Sequence, residues 1–324
     1  MAGSDYWKKR FKGMEDEEFS EVEKAVIERG AESEIAEPND GLISIDDIAD
    51  DIKEEFESWG KVRGLRSGYT TLDKKLGGMG EGHVILIGGE TSNGKSALAT
   101  NIAVNVAKTD PVLYITLEMQ AKEIGSRIMH IYGENVGDLQ MLFQSQFRLT
   151  YKDVKPLLKN AMEYAGIKLV VLDYLQYLGR GMKMEEVAIM SKEMKTLALE
   201  FNIPFIVIVS LRKAEQGKGK RKWTDIEIED LMGTGSIGYD ADAAMIVSRK
   251  DLSNEYDEDN VYVKILKTRN ARLDYSDRYV ALKWDRTRIT EDFTEAMNSA
   301  KDEGWEEAGT QQNLLEDKPN DPVH

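Results

Sequence analysis

The stretch Gly89-Glu90-Thr91-Ser92-Asn93-Gly94-Lys95-Ser96 fits the phosphate-loop pattern G-x-x-x-x-G-K-[ST] without a mismatch. The apolar run 83–88 precedes it, and the helix-forming run 97–107 follows it. In this context a glycine-rich loop and a helix N-terminus direct backbone N–H groups at a polyphosphate, whereas the alternative is an ordinary glycine turn. The stretch therefore predicts a nucleoside triphosphate site formed by Gly89, Glu90, Thr91, Ser92, Asn93, Gly94, Lys95, Ser96 and Ala97.

Four side chains near this loop are candidates for the chemistry. Lys95 would reach the β- and γ-phosphates, and the Ser96 hydroxyl would hold Mg²⁺. Asp173 ends an apolar strand, where a carboxylate that orders the metal is expected. Glu118 ends the strand before it and could accept a proton from the attacking water. The alternative for either acid is a solvent-facing residue at the end of a strand.

Composition excludes several other kinds of site. The chain has 324 residues and no cysteine, which excludes disulfides, thiolate metal sites and a cysteine nucleophile. Its three histidines, at positions 83, 130 and 324, are not spaced as zinc ligands. There is no apolar run of about 18 residues and no signal peptide, so we expect a cytoplasmic protein with no membrane partner.

The net charge of −16 is concentrated at the two ends of the chain. Residues 1–60 and 291–324 are strongly acidic, and the middle is mildly basic, so the overall charge says little about what the middle binds. We predict an acidic N-terminal extension at 1–40, a linker helix at 41–62, a nucleotide-binding domain at 63–290 and an acidic, partly disordered tail at 291–324.

The middle of the chain alternates between strand and helix patterns, which predicts an α/β fold with a mostly parallel, twisted sheet flanked by helices. Helices are predicted at 97–107, 121–132, 153–165 and 185–202, and strands at 83–88, 112–117, 168–173, 204–210, 243–248 and 261–266, with a hairpin at 278–290. The segment between 132 and 153 is predicted to be variable and polar.

An ordered set of motifs between Leu65 and Ile289 resembles the hexameric replicative helicases of the DnaB type. The motifs are Ser67-Gly68-Tyr69-Thr70-Thr71-Leu72-Asp73, Leu117-Glu118-Met119, Leu172-Asp173-Tyr174-Leu175-Gln176, Gly235-Ser236-Ile237 with Asp240-Ala241-Asp242, and Lys267-Thr268-Arg269-Asn270. The phosphate loop alone is generic, whereas this set in this order is much more specific.

The resemblance implies a RecA-like motor that hydrolyses ATP with Mg²⁺ at the subunit interfaces of a hexameric ring, moves on single-stranded DNA and unwinds duplex. It implies that Glu118 is the catalytic base and that Lys267 and Arg269 reach the ATP site of the neighbouring subunit. Without the resemblance, these two cations would be an ordinary charged strand face.

The resemblance also implies that segments 179–184 and 212–223 are central-channel loops. Their cations would contact nucleic acid: Arg180, Lys183, Arg212, Lys213, Lys218, Lys220, Arg221 and Lys222. Trp223 could stack on a base. The alternative is a solvated surface loop with its tryptophan in the core.

Three departures from the family pattern are expected to matter. The family's glutamine is missing after the strand that ends near Ser210, and Met232 replaces an arginine before the Gly-Ser-Ile motif. The acidic N-terminal residues are too few for the family's helical N-terminal domain. The sequence instead predicts a compact bacterial or viral form that works with a separate primase, loader or polymerase.

The predicted linker helix carries an apolar stripe, Ile45, Ile48, Ile52, Phe56 and Trp59, that would pack on a neighbouring subunit or on its own domain. Two other functions remain open: a recombinase-like or mediator ATPase on single-stranded DNA, and a nucleotide switch with weak hydrolysis. The missing glutamine keeps the switch open.

Overall fold

The computed structural model describes residues 49, 53, 62–145, 149–173, 175, 184–211, 222–231, 238, 240–271 and 273–291, with side chains at 184–201 described from residue 189. The chain divides into two units, Met1–Trp59 and Gly60–His324. In the first unit, Ala49 and Lys53 are helical. The N-terminal extension, most of the predicted linker helix and the tail after 291 lie outside the described residues, so their assignment stays a prediction.

Strands and helices alternate through the second unit. The helices are α1 (Thr70–Leu76), α2 (Lys95–Ala107), α3 (Ala121–Tyr132), α4 (Tyr151–Ala165) and α5 (Met184–Phe201). The strands are β1 (Val84–Gly88), β2 (Val112–Thr116), β3 (Met141–Gln144), β4 (Leu169–Asp173), β5 (Phe205–Ile208), β6 (Ala243–Ser248), β7 (Asn260–Thr268), β8 (Tyr279–Asp285) and β9 (Arg288–Thr290).

Within the described residues, the nine strands form one sheet in the order β3-β2-β4-β5-β1-β6-β7-β8-β9. The six strands β3, β2, β4, β5, β1 and β6 run parallel to one another. Beyond β6, the strands β7, β8 and β9 extend the sheet, each antiparallel to the strand before it. The α/β class with a mostly parallel sheet is confirmed. Because β1 is central, the loop that follows it opens at the middle of the sheet's carboxyl-terminal edge.

Both faces of the sheet are covered, which is why the central strands are apolar throughout. One core lies between the sheet and helices α1, α2 and α3. The other lies between the sheet, helices α4 and α5, and the segment around Trp223 to Leu231. Among the helices that the structure describes, none combines the length and apolar character needed to cross a membrane.

Two elements differ from the prediction. The segment expected to be variable and polar contains β3, a four-residue strand at the sheet edge that pairs with β2. This strand has only four residues, all partly or fully exposed, which is too few to show the alternation of apolar and polar side chains that indicates a strand. Helix α1 was not predicted because it is only seven residues long, and Glu291 caps it from far along the chain by accepting hydrogen bonds from the N–H groups of Thr70 and Thr71, both at 2.6 Å.

Candidate nucleotide-binding and hydrolysis site

The predicted phosphate loop joins β1 to α2 at the carboxyl-terminal edge of the parallel strands. Gly89 and Gly94 have positive φ angles of 156° and 93°. A Cβ atom on Gly89 would lie 2.5 Å from the carbonyl oxygen of Val247 on β6, so no larger residue fits there without a backbone shift. Gly94 caps α2, whose first turn points its N–H groups at this edge. The backbone thus has the form that a polyphosphate needs.

Lys95 is the first residue of α2 and lies among three acids. Its Nζ donates to the carbonyl oxygen of Glu90 at 2.8 Å. Burial lowers the pKa of Lys95, and the negative charges of Asp173, Glu118 and Glu90 oppose that shift. The structure therefore brings together the lysine and the two acids that the sequence singled out. The Lys95 ammonium can exchange its hydrogen bond to the carbonyl oxygen of Glu90 for one to a phosphate oxygen, so little hydrogen bonding would be lost.

Asp173 is buried at the end of β4, and one of its oxygens has no hydrogen-bond partner among the described residues. Tyr114 donates its hydroxyl to Asp173 Oδ2 at 3.3 Å, whereas Oδ1 is buried without a hydrogen-bond partner in the part of the chain that is described. Burial raises the pKa of Asp173 to about 6, which a hydrogen bond from Ser96 opposes and the charge of Glu118 reinforces. A cation beside Oδ1 would satisfy that oxygen and favour the carboxylate.

These residues fit Mg²⁺. The metal prefers oxygen ligands and commonly takes one or two from the protein and the rest from phosphate and water. Ser96 and Asp173 supply a hydroxyl and a carboxylate, both oxygen ligands, and the Ser96 hydroxyl opposes the rise in the pKa of Asp173. Among the described residues, no group of three or more His, Cys, Asp or Glu side chains could hold a metal ion.

Glu118 follows β2, next to the end of β4. Thr116, at the end of β2, pairs with Asp173, and its hydroxyl donates to the carbonyl oxygen of Met119 at 2.8 Å. This turn holds Glu118 at the same sheet edge as Lys95, and the Glu118 side chain is exposed. An exposed carboxylate beside a phosphate loop has the position that a base for an attacking water requires.

Two residues that the sequence did not single out, Tyr114 and Thr100, support the predicted metal ligands. The Thr100 Oγ1 atom donates to the carbonyl oxygen of Ser96 at 2.6 Å and lies 3.1 Å from Tyr114 Oη. Tyr114 in turn contacts Asp173 because β2 and β4 pair with Tyr114 opposite Val171, which puts Tyr114 and Asp173 on one face. The strand pattern alone does not indicate this contact, since it depends on the register.

Lys267 and Arg269 lie at the opposite edge of the sheet from the phosphate loop. Lys267 of β7 pairs with Ala244 near the start of β6, and Ala244 pairs with Leu86 of β1. Arg269 follows β7 at the amino-terminal edge of the parallel strands. A strand rises about 3.3 Å per residue, so Arg269 is separated from Gly89 by more than about 10 Å along β1. The fold does not bring these cations to the phosphate loop of their own chain.

The proposed nucleic-acid residues fall mostly outside the description. Arg180, Lys183, Arg212, Lys213, Lys218, Lys220 and Arg221 lie outside the described residues, as does Met232, and Lys222 is exposed. The prediction that Trp223 could stack on a base is wrong, because its side chain is 2% exposed. Its Nε1 donates to the carbonyl oxygen of Asp251 at 2.7 Å, and its ring meets Tyr279 edge-on at 5.7 Å.

The structure describes the end of β5, where the glutamine of the family pattern is missing. β5 ends at Ile208, and the N–H of Val209 donates to the carbonyl oxygen of Ile87 at 3.0 Å. Ser210 follows, half-buried, beside the strand that leads into the phosphate loop. Its hydroxyl is a shorter polar group than a glutamine amide, so it cannot reach as far toward a γ-phosphate.

A family model described as the DnaB-like helicase C terminal domain matches residues 64–137 and 131–288. The chain belongs to the DnaB-like helicase C-terminal domain family. This confirms the resemblance inferred from the motifs. The replicative DNA helicase DnaB of Haemophilus influenzae is 27% identical over 255 residues, which cover 68% of this chain and 54% of that protein. The chain spans about half the length of the curated relatives it matches.

Solved structures show the same fold. One of them, the ATPase domain of another protein, has a TM-score of 0.66 at 22% identity, covering 78% of this chain and all of that one. A DnaB-like replicative helicase, solved in a study of its interactions with primase, has a TM-score of 0.63 at 22% identity, covering 89% of this chain and 77% of that one. The fold of this DnaB-family chain is therefore the RecA-like ATPase fold.

Proposed function

We propose that this DnaB-family chain is the ATP-hydrolysing motor of a ring-forming replicative DNA helicase. One observation carries the proposal: the groups for one hydrolysis site lie on two opposite edges of the sheet. Lys95, Asp173 and Glu118 are at the carboxyl-terminal edge, and Arg269 is at the amino-terminal edge. A head-to-tail assembly would join the two edges, and its closure would give a ring.

Within one chain, the phosphate loop binds the triphosphate and Lys95 neutralises the β- and γ-phosphates. Bound Mg²⁺, held by Ser96 and Asp173, would add positive charge on the phosphate oxygens. Glu118 orients the attacking water and takes its proton. Tyr114 keeps the Asp173 carboxylate in place through its hydrogen bond to Oδ2.

The neighbouring chain completes the site. Arg269, with Lys267 beside it, would stabilise the charge that develops on the transferring phosphoryl group. Hydrolysis then depends on assembly, so movement of one subunit alters the site of the next. A hexamer is the assembly that the family implies.

Nucleic acid and partner proteins follow from the family. Single-stranded DNA would pass the cationic segments 179–184 and 212–222 in the channel, where backbone phosphates meet the lysines and arginines. A primase is the first partner to test, because a DnaB-like replicative helicase of the same fold was studied structurally together with its interactions with primase. We place the protein in the cytoplasm, where replication partners are available.

One observation favours a second candidate, a nucleotide switch that hydrolyses ATP slowly. The strand end at Val209 and Ser210 has no glutamine to sense the γ-phosphate. The recombinase-like alternative is less favoured, because the family match covers most of the chain and names the helicase domain.

Unwinding of a forked duplex separates these functions. The full chain is incubated with ATP, Mg²⁺ and a fluorescent fork, and ATP turnover is followed with and without single-stranded DNA. The helicase proposal predicts strand separation and DNA-stimulated turnover, both lost in Lys95→Ala. DNA-stimulated turnover without unwinding would support the recombinase-like function, and slow turnover that ignores DNA would support the switch.

A further inference from the structure

A buried carboxylate lies behind Arg269 at the amino-terminal edge of the sheet. Asp242 precedes β6, and its side chain is only 5% exposed. Arg269 Nη1 donates to Asp242 Oδ1 at 3.0 Å. The Arg269 side chain is itself 52% exposed. The guanidinium group is therefore held from behind by a buried acceptor while it reaches the surface.

The backbone fixes Asp242 in its turn. Its N–H donates to the carbonyl oxygen of Val84 at 2.9 Å, and its own carbonyl oxygen accepts the Arg269 N–H at 2.9 Å. The N–H of Val84 donates to Asp242 Oδ2 at 2.8 Å. The carboxylate is thus tied to the first residue of β1, the strand that leads to the phosphate loop. It can shift very little relative to the sheet.

A second cation holds the other oxygen. Lys195 of α5 places Nζ 2.7 Å from Asp242 Oδ2 and 2.9 Å from the carbonyl oxygen of Gly82. Burial alone would raise the pKa of Asp242, but the hydrogen bonds from Lys195 and Val84 outweigh it and lower the pKa. Each carboxylate oxygen therefore has its own cation, Arg269 on Oδ1 and Lys195 on Oδ2.

We propose that Asp242 is the positioning residue of Arg269 and that Lys195 holds the Asp242 carboxylate in the orientation that this requires. The proposal rests on the proposed function, in which Arg269 acts on the neighbour's nucleotide. Arginine presents several donors in a rigid fork, so fixing one nitrogen fixes the direction of the others. A displacement of about 1 Å in such a group can cost roughly 100-fold in the reaction it assists.

The test introduces a substitution at Asp242 either in the subunit that binds the nucleotide, the acceptor, or in the subunit that supplies Arg269, the donor. Acceptor subunits carry Arg269→Ala and keep an intact phosphate loop. Donor subunits carry Lys95→Ala, so they bind no nucleotide but keep Arg269. In mixed assemblies of the full chain, ADP with aluminium fluoride is trapped only where an acceptor site meets a donor's Arg269. Trapping at one site needs no turnover around the ring.

Adding Asp242→Asn to the donor should weaken the trapped complex about 10- to 100-fold, because the donor's arginine is no longer aimed. Adding Asp242→Asn to the acceptor should leave trapping unchanged, since the acceptor's own arginine is absent. Lys195→Met in the donor should weaken trapping in the same direction. Lys192→Met, an exposed lysine on the same helix, is the matched control and should have no effect.

Equal effects of Asp242→Asn in donor and acceptor would overturn the proposal, because they would show a general structural role. No effect in the donor would overturn it as well. If the unmodified donor and acceptor mixture traps nothing while wild type does, the trans-acting arginine itself fails and the proposal fails with it. Binding of ADP without aluminium fluoride verifies in each mixture that the phosphate loop of the acceptor is intact.

Discussion

Arg269 Nη1 and Asp242 Oδ1 are 3.0 Å apart at the sheet edge that faces away from the phosphate loop of the same chain. The strand pairing explains this separation: β7 runs antiparallel to β6, so the end of β7 lies beside the start of the parallel strands. In the proposed function, an arginine fixed in this position would act on a nucleotide across an interface. The pair would then link the fold of one chain to the assembly of several.

Gly89 is the phosphate-loop residue with the least room. Gly89→Ala would bring a Cβ atom to 2.5 Å from the Val247 carbonyl oxygen at a φ angle of 156°. We expect a loss of about 1–3 kcal/mol in the free energy of unfolding, from backbone strain, and a strong loss of ATP affinity. Thermal unfolding and nucleotide titration measure the two effects.

Gly125 provides the control for that substitution. It lies inside α3, and a Cβ atom there would meet nothing within 4 Å. Gly125→Ala should stabilise the chain by about 0.5–1 kcal/mol, because alanine loses less backbone entropy in a helix. Equal destabilisation by both substitutions would show that the contact with Val247 is not the cause.

Asp73 should make stability depend on pH. Its Oδ1 accepts the N–H of Ser67 at 2.7 Å, and burial raises its pKa to about 6 from 3.8. Because the folded pKa is the higher one, the stabilising contribution is complete below about pH 4 and is lost as the pH rises through 6. Asp73→Asn should raise the free energy of unfolding at pH 8 by as much as about 3 kcal/mol.

The exposed carboxyl of Asp153 gives a comparison of opposite sign. Hydrogen bonds from Thr150 lower the pKa of Asp153, so its contribution is present at neutral pH and lost as the pH falls through the folded pKa. Asp153→Asn should therefore destabilise the chain at pH 8 and lose that effect in acid. Chemical denaturation at pH 8 and at about pH 2, below both folded pKa values, would detect both signs. A gain in stability from both substitutions at pH 8 would contradict the opposite pKa shifts of the two carboxyls.

Lys264 is a fully buried cation, with 0% of its side chain exposed. Its Nζ donates to the carbonyl oxygens of Thr224 and Ile226, both at 2.6 Å, and to Glu227 Oε1 at 2.9 Å. Lys264→Met would leave the two carbonyl oxygens without this donor, whereas Glu227 keeps its hydrogen bond from Arg278. We therefore expect a loss of about 3 kcal/mol in the free energy of unfolding. Lys155→Met removes the exposed pair with Glu200 and should cost less than about 1 kcal/mol.

The cations of segment 212–222 should give nucleic-acid binding its salt dependence. Replacing Lys218, Lys220 and Arg221 by alanine should reduce the slope of log affinity against log salt by about 2 for single-stranded DNA. The matched control replaces three exposed lysines of α4, Lys152, Lys155 and Lys159. Fluorescence anisotropy across a salt series measures both. An equal change from the α4 variant would show that only total charge matters.

Much of the fold could be predicted because it rests on local patterns. The buried parallel strands are continuous apolar runs, and the phosphate loop has its own sequence signature. Asp173 and Glu118 were placed correctly at one sheet edge because the carboxyl ends of parallel strands share that edge. These features need only the order of strands and helices along the chain.

The remaining features depend on contacts between distant residues. The hydrogen bond between Tyr114 and Asp173 follows from the register of β2 and β4, and the position of Asp242 beside Arg269 follows from the pairing of β6 and β7. The sequence around Trp223 is compatible both with stacking on a base and with packing against Tyr279. Only the packed sheet decides between the two positions.

The most direct measurement is ATP turnover in mixtures of wild type with Arg269→Ala in the presence of single-stranded DNA. Arg269→Ala alone should lose about 1,000-fold in turnover while it still binds ATP. In mixtures, turnover should fall more steeply than the fraction of wild-type chains, because each variant subunit disables a neighbour's site in a cooperating ring. Turnover in simple proportion to the wild-type fraction, or an Arg269→Ala chain as active as wild type, would contradict the account.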